Sequence, residues 1–318
     1  MMLRLISFVA VSVALVMSVA EAATIEFLPP VHLGDTLNSA YHDWGPDISA
    51  DGLTLYFSSE RPPGGSSTGN IWVATRATTE DPFGPPVIVP DVNSLYHDTN
   101  PCISDDNLSL YFLSTRSTSG GNADIWRATR NFENDPFGTP ALVSEVNSSS
   151  DDGGADISAD GLTLYFSSNR GNGQGSYDLW QAVRPSVNDP FGEPTNMGSA
   201  VNSSSMEGHS SITGDDLTIY LERGGSSTRD IWVATREADT DPFGSPVSLG
   251  PTINSSAKDR TPTISSDGTT LIFASQRSGG LGGYDLWMTT AIPEPSTLIL
   301  LVTGAFGLLT YAWRKRRS

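Results

Sequence analysis

One cysteine, Cys102, stands in the whole chain, so no intramolecular disulfide can form even in an oxidising compartment. Basic residues are scarce: 18 Lys and Arg face 36 Asp and Glu, a net charge of −18. A surface of that sign repels nucleic acid, whose binding needs clustered cations to displace counterions. Between the two ends there is no long apolar run and no 3.6-residue apolar stripe of useful length, which excludes helical solenoids. Catalytic signatures are missing too: no His-Glu-x-x-His, no Walker loop and no cysteine pair.

The ends are of a different kind from the rest. Residues 1–22 carry one early cation, Arg4, an apolar run from Leu5 to Val19, and Ala20-Glu21-Ala22, the pattern of a secretory signal removed by signal peptidase. At the other end Pro293-Glu294-Pro295 precedes an uncharged stretch from Ser296 to Trp313 and then Arg314, Lys315, Arg316 and Arg317. That stretch is just long enough for a transmembrane helix, with the basic cluster on the cytoplasmic side. The order of these three parts over 291–318 resembles the PEP-CTERM sorting signal of bacterial envelope proteins. The resemblance implies recognition by an exosortase, cleavage near the Pro-Glu-Pro, and display on the cell surface or in an exopolysaccharide matrix. An ordinary membrane anchor is the alternative; a sortase signal is disfavoured because Leu-Pro-x-Thr-Gly is absent. The signal is neutral (Arg4 against Glu21) and the tail carries +3, so residues 23–290 hold −21 of the total −18.

Those middle residues repeat. Asn-Ser pairs begin at Asn38, Asn93, Asn147, Asn202 and Asn254, and tryptophans recur at Trp72, Trp126, Trp180, Trp232 and Trp287, both series at intervals of 52 to 55 residues. A fixed period of that length marks units that bury their faces against their neighbours. In the third unit Ala155-Asp156-Ile157-Ser158 and Leu162 to Ser167 flank an Asp-Gly turn, Tyr177 to Ala182 follows a glycine-rich loop, and a weaker strand follows Asp189-Pro190-Phe191-Gly192. Four antiparallel strands per unit make one propeller blade. The spacing predicts an all-β, five-bladed β-propeller over 23–290, with repeats near 38–76, 93–130, 147–184, 202–236 and 254–289. Asp-Pro-Phe-Gly occurs only four times, while Phe27 to Leu33 aligns with Phe83 to Val89. The mature N-terminus is therefore expected to lend the last blade its outer strand and close the ring, removing exposed edges.

The run Ile-Ser-x-Asp-Gly-x-x-Leu-Tyr-Phe-Ser-Ser-x-Arg, a glycine-rich loop and then Asp-Ile/Leu-Trp resembles the WD40-like repeat of TolB-related envelope proteins. The fourth unit departs from it at Gly214-Asp215-Asp216 and Leu221-Glu222, and the second has Asp106-Asn107 for Asp-Gly. The resemblance implies a propeller with a binding or scaffolding role and no reaction.

Candidate sites follow from the repeat and from its breaks. Asp43, Asp98, Asp152, Glu207 and Asp259 each lie five residues after an Asn and just ahead of the innermost strand. Clustered around a channel mouth, they would need water, hydrogen bonds or a cation to offset their repulsion, and a hard ion such as calcium would suit; alternatively each caps backbone N–H groups between blades. No other cofactor is indicated. Arg61, Arg116, Arg170, Arg223 and Arg277 are expected to pair across strands with Asn70, Asp124, Asp178, Asp230 and Asp285. A ligand without fivefold symmetry needs residues that break the repeat, and His42, Trp44, His97, His209 and Arg260 do so. Three functions remain: a surface module binding a polysaccharide, peptide or envelope protein; a glycan-cleaving propeller using Asp47, Asp156 and Glu207 as paired carboxylates; and a structural matrix or biofilm component. The binding module, expected to be a monomer, fits best.

Overall fold

The computed structural model describes residues 25–63, 68–116, 122–225 and 227–293. The expected signal at 1–22, the expected transmembrane helix, and Glu294, Pro295, Arg314, Lys315, Arg316 and Arg317 lie outside them. Among the described residues no helix is long and apolar enough to cross a membrane.

The described chain forms five four-stranded antiparallel sheets, each a blade. The innermost strands are Asp43–Ile48, Asp98–Ile103, Asp152–Ile157, Met206–Ile212 and Asp259–Ile264. The outermost are only two residues long. Apolar side chains fall into five clusters, each shared by two neighbouring blades. Tyr111 and Ile125 of the second blade, for example, pack against Leu164, Phe166 and Trp180 of the third. Each sheet thus buries its faces against its neighbours, as the repeat requires.

The first hairpin of every blade turns through a residue with positive φ. Gly52, Gly161 and Gly268 take φ of 71 to 72°, and where glycine is missing Asn107 and Asp216 take 58 and 60°. The preceding aspartate holds the turn: Asp51 Oδ1 accepts from Ser49 Oγ at 2.6 Å and from the Leu53 N–H at 2.9 Å. The second and fourth repeats therefore depart in sequence without departing in geometry, because Asn and Asp tolerate this region.

The ring closes as the alignment of Phe27 with Phe83 predicts. Val31 pairs with Met288 and His32 with Trp287, so the first strand completes the last sheet. Leu28 N–H donates to Thr290 O at 3.0 Å, Leu33 N–H to Leu286 O at 3.1 Å, and Ile292 N–H to Glu26 O at 2.7 Å. The seam ends one residue before Pro293. Leu33→Pro removes one of these donors; the Leu286 carbonyl keeps its bond from Asn38 Nδ2 at 3.1 Å, so the loss should be that of a single hydrogen bond, about 0.5–1.5 kcal/mol. A thermal melt in which Leu33→Pro and Leu33→Ala coincide would contradict this role for the seam.

Candidate functional site

Every innermost strand contains one bulge, and its residue lies in the left-handed region: Gly45 at φ 55°, Asn100 at 53°, Gly154 at 57°, His209 at 36° and Thr261 at 48°. A bulge re-aims the side chains beyond it. Two residues later come Asp47, Cys102, Asp156, Ser211 and Thr263, one per blade. Ligand atoms of Asp47, Cys102 and Asp156, from three different blades, lie within 4.8 Å of one another, which places them at the propeller axis.

These axial groups stitch adjacent blades. Asp47 Oδ2 accepts from the Ile103 N–H at 2.7 Å, Asp156 Oδ2 from the Ile212 N–H at 2.6 Å, and Ser211 Oγ from the Ile264 N–H at 3.0 Å. Thr263 Oγ1 donates to Asp47 Oδ1 at 3.2 Å and the Cys102 thiol to Asp156 Oδ1 at 3.4 Å. Burial, and then the charge of Asp156, pushes the Asp47 carboxyl well above its ordinary range. Burial raises Asp156 to about 7. Cys102 is pushed up by burial and by both carboxylates, so its thiol stays protonated. The cavities on either side of this constriction hold only about 20 and 30 Å³. Each has room for one or two waters.

The five carboxylates expected at the channel mouth are fully buried, and each is engaged inside its own blade. Asp152 Oδ2 accepts from the Ser148 N–H at 2.6 Å and Ser148 Oγ at 2.8 Å, while Oδ1 accepts from Arg170 Nη2 at 2.5 Å. Asp43 with Arg61, Asp98 with Arg116, Glu207 with Arg223 and Asp259 with Arg277 repeat the arrangement at 2.5 to 2.8 Å. This is the backbone-capping geometry, and the countercharge envisaged from calcium is supplied by arginine. It also corrects the expected arginine partners. Arg61, Arg116, Arg170 and Arg277 lie two residues beyond their strand ends, whereas Arg223 is inside its strand and opposite Asp230 in register. All five turn back across the tryptophan of their own blade, the guanidinium 4.9 to 5.4 Å from the ring centroid. Asp178 and Asp285 instead accept backbone N–H groups of the glycine-rich loops, from Gln174 and Gly175 and from Leu281 and Gly282.

Of the residues that break the repeat, three are spent between blades. His42 Nδ1 accepts from the Tyr284 N–H at 3.0 Å and His97 Nδ1 from the Gly69 N–H at 3.3 Å. Trp44 packs on the apolar cluster shared by the first and fifth blades and against Gly69 of its own blade, where an added Cβ would come within 2.7 Å of the indole. Glu207, bound to Arg223, does not join Asp47 and Asp156 at the axis.

The other two, His209 and Arg260, share a cleft of about 360 Å³ that opens among the second to fifth blades. Glu222 is fully buried behind it, its Oε1 2.7 Å from Arg229 Nη1 and its Oε2 3.4 Å from Arg260 Nε. Thr261 N–H also donates to Oε2, at 3.2 Å. Burial alone would raise the Glu222 carboxyl, but Arg260, His209 and Arg229 together hold it below its ordinary range. Burial lowers His209 to about 4, with both arginines opposing its protonation, so the imidazole is neutral at pH 7. Arg260 stacks on Tyr284, 5.3 Å from the ring centroid. In the sequence Glu222 stands out only as a departure from the repeat, and Arg229 is not among the candidate residues. The signal was there: the slot of Arg229 holds Gly69, Ala123, Tyr177 and Tyr284 in the other blades.

Residues 291–317 match the PEP-CTERM protein-sorting motif, which implies recognition by exosortase during export and an extracellular or cell-surface location in bacteria. No curated protein is similar to the chain at a significant level. Among solved structures, a thermostable family-43 glycoside hydrolase is similar at 14% identity and a TM-score of 0.57, over 82% of this chain and 93% of that one. An alpha-L-arabinofuranosidase from Lactobacillus brevis is similar at 12% identity and 0.56, over 82% and 93%. TolB from Acinetobacter baumannii is similar at 15% identity and 0.48, over 81% of this chain and only 56% of TolB. At these identities the likeness is one of fold, and propellers of this shape serve unrelated functions.

Proposed function

We propose that the protein is a surface-displayed binding module that is exported, sorted through its PEP-CTERM tail, and holds its ligand in the cleft behind which Glu222 lies. One observation carries this reading: four residues that break fivefold symmetry, His209, Glu222, Arg229 and Arg260, converge there. The slot of Glu222 is filled by Ser58, Leu113, Ser167 and Ala274 in the sibling blades, each opposite the same point of its innermost strand. Four blades therefore fold with a small or apolar residue where the fourth buries a carboxylate between two arginines. A buried ionic triad gives no reliable stability over apolar packing, so folding does not account for it. The cleft volume falls within the roughly 300–1,000 Å³ of small-molecule sites.

Hydrolysis at the axis has less support. Asp47 and Asp156 approach within 4.8 Å across cavities of about 20 and 30 Å³, and a sugar ring does not enter such a space. Carboxyl pairs of glycosidases stand roughly 5 Å apart or more, flanking the scissile bond.

Glycan and peptide arrays probed with the wild type and with Arg260→Ala test the reading. Captured ligands should be lost at least tenfold in the variant. Equal capture by both proteins would refute the cleft, and release of reducing sugar from a captured glycan would show a hydrolase instead.

A further inference from the structure

The chemistry of the cleft narrows its ligand, on the reading that the cleft is the binding site. Arg229 is about one quarter exposed, at 24%, and Arg260 is 21% exposed, so both reach the cleft while Glu222 lies wholly behind them. One carboxylate shared by two guanidiniums leaves one positive charge without a counterpart. The acids on the opposite wall make no ion pair with these arginines, although Asp151, bonded only to neutral donors, keeps its negative charge. Asp151 accepts from the Ala123 N–H at 3.0 Å and from Tyr177 Oη at 2.9 Å, and Asp152 is paired with Arg170.

Among the described residues three buried polar atoms of the cleft have no hydrogen-bond partner: Arg229 Nε and Arg260 Nε, both donors, and Asn100 Oδ1, an acceptor; Arg260 Nε has only the 3.4 Å ionic contact with Glu222. Buried polar atoms of this kind are normally satisfied, and each exception calls for an explanation. A ligand with an anionic acceptor for the arginines and a hydroxyl donor for Asn100, whose Oδ1 also abuts Gly45, would satisfy them. Leu113 and Tyr177 line the cleft as well and give it an apolar face. We infer that the cleft binds a sugar acid, its carboxylate on Arg229 and Arg260, a ring hydroxyl donating to Asn100, and its ring packed along Leu113 and Tyr177. The −21 charge of residues 23–290 repels a densely charged polyanion, so a single or terminal acidic sugar fits better than a run of them.

Titration calorimetry on the full-length protein tests this with D-glucuronate and D-galacturonate, the neutral sugars glucose and galactose, and N-acetylglycine, which has a carboxylate and no sugar ring. At least one uronate should bind no less than tenfold tighter than its neutral parent and than N-acetylglycine. Arg229→Tyr with Glu222→Ser and Arg260→Gly, the residues of the third blade at these slots, should abolish that binding. The triple variant removes the buried charges together, so no unpaired ion is left to unfold the blade; Asn100→Leu, outside the triad, should weaken uronate binding at least fivefold. Equal binding of uronate and neutral sugar would overturn the sugar acid while leaving the cleft as the site. N-acetylglycine binding as tightly as uronate would replace it with a peptide carboxylate. No binding by any probe overturns the inference, and uronate binding that survives the triple substitution overturns the cleft as well.

Discussion

Asp152→Ala should destabilise the propeller by about 3–5 kcal/mol, the loss expected when one partner of a buried ion pair is removed and the other charge stays behind. Asp152 is fully buried and Arg170 is 14% exposed, so water does little to solvate the abandoned guanidinium. Arg170 also donates to Val146 O at 2.5 Å and to Ser168 Oγ at 2.9 Å, and it stacks on Phe166 and Trp180. These contacts hold it in place, and it cannot swing out to solvent. The Ser148 N–H loses its acceptor in the same step. In a domain of this size the loss lowers Tm by roughly 6–20 °C. Asp152→Asn keeps one acceptor and should lose about half as much, while Asp152→Ala with Arg170→Leu should recover part of the deficit. Denaturant melts of the three variants decide it: a loss under about 1 kcal/mol for Asp152→Ala would show that the clamp contributes little. The first, second and fifth blades repeat the experiment at Asp43, Asp98 and Asp259.

The ring was legible because its period is carried by large residues with a single structural use. Trp72, Trp126, Trp180, Trp232 and Trp287 fix the blade count, and the missing fifth Asp-Pro-Phe-Gly, with its partner at Phe27, fixes the seam. The arginine partners were not legible, for a geometric reason. Strand register ends at Ser59 opposite Asn70, so a cross-strand neighbour for Arg61 looked available. Two residues beyond the strand the chain has left the sheet, and the guanidinium folds back over Phe57 and Trp72 to reach Asp43. The pairing keeps a separation of 18 residues in four blades, but two acidic series repeat with the same period, and only the path of the side chain decides which of them the arginine reaches.

The bulges were hidden as well. Gly45 and Gly154 suggest positive φ, but Asn100, His209 and Thr261 adopt the same conformation without advertising it. Because the bulge sets which side chains reach the axis, Cys102, Ser211 and Thr263 could not be placed beside Asp47 and Asp156 by counting. His209 and Arg260 were found because each stands alone in its slot. Arg229 stands alone in its slot by the same rule, beside Asp230, which belongs to the repeat.

The axial carboxylates give the second large effect, and its sign is unusual. Asp156 rises from the ordinary 3.8 to about 7 because burial penalises its ionised form, so the folded protein holds this proton more tightly than the unfolded chain does. The stabilisation is complete below about pH 4 and is lost as pH climbs toward 7. At about 1.4 kcal/mol per unit, the change across that window is about 4 kcal/mol, with Asp47 acting in the same direction. His209, lowered to about 4, works the other way: its neutral form is favoured by folding, and stability is lost as pH falls from 6.5 toward 4. Wild-type melts therefore mix two opposed slopes, and only a difference isolates the axis. Asp156→Asn keeps an oxygen for the Ile212 N–H, carries no charge at any pH, and relieves Asp47 of its neighbour. The variant should gain on the wild type steadily from pH 4 to pH 8 and be clearly the more stable above pH 7. Urea melts at half-unit intervals measure that difference. Parallel curves would mean that the two carboxylates ionise together at no cost, with a cation or water in the small cavities at Gly45 and Ala50 neutralising or solvating them.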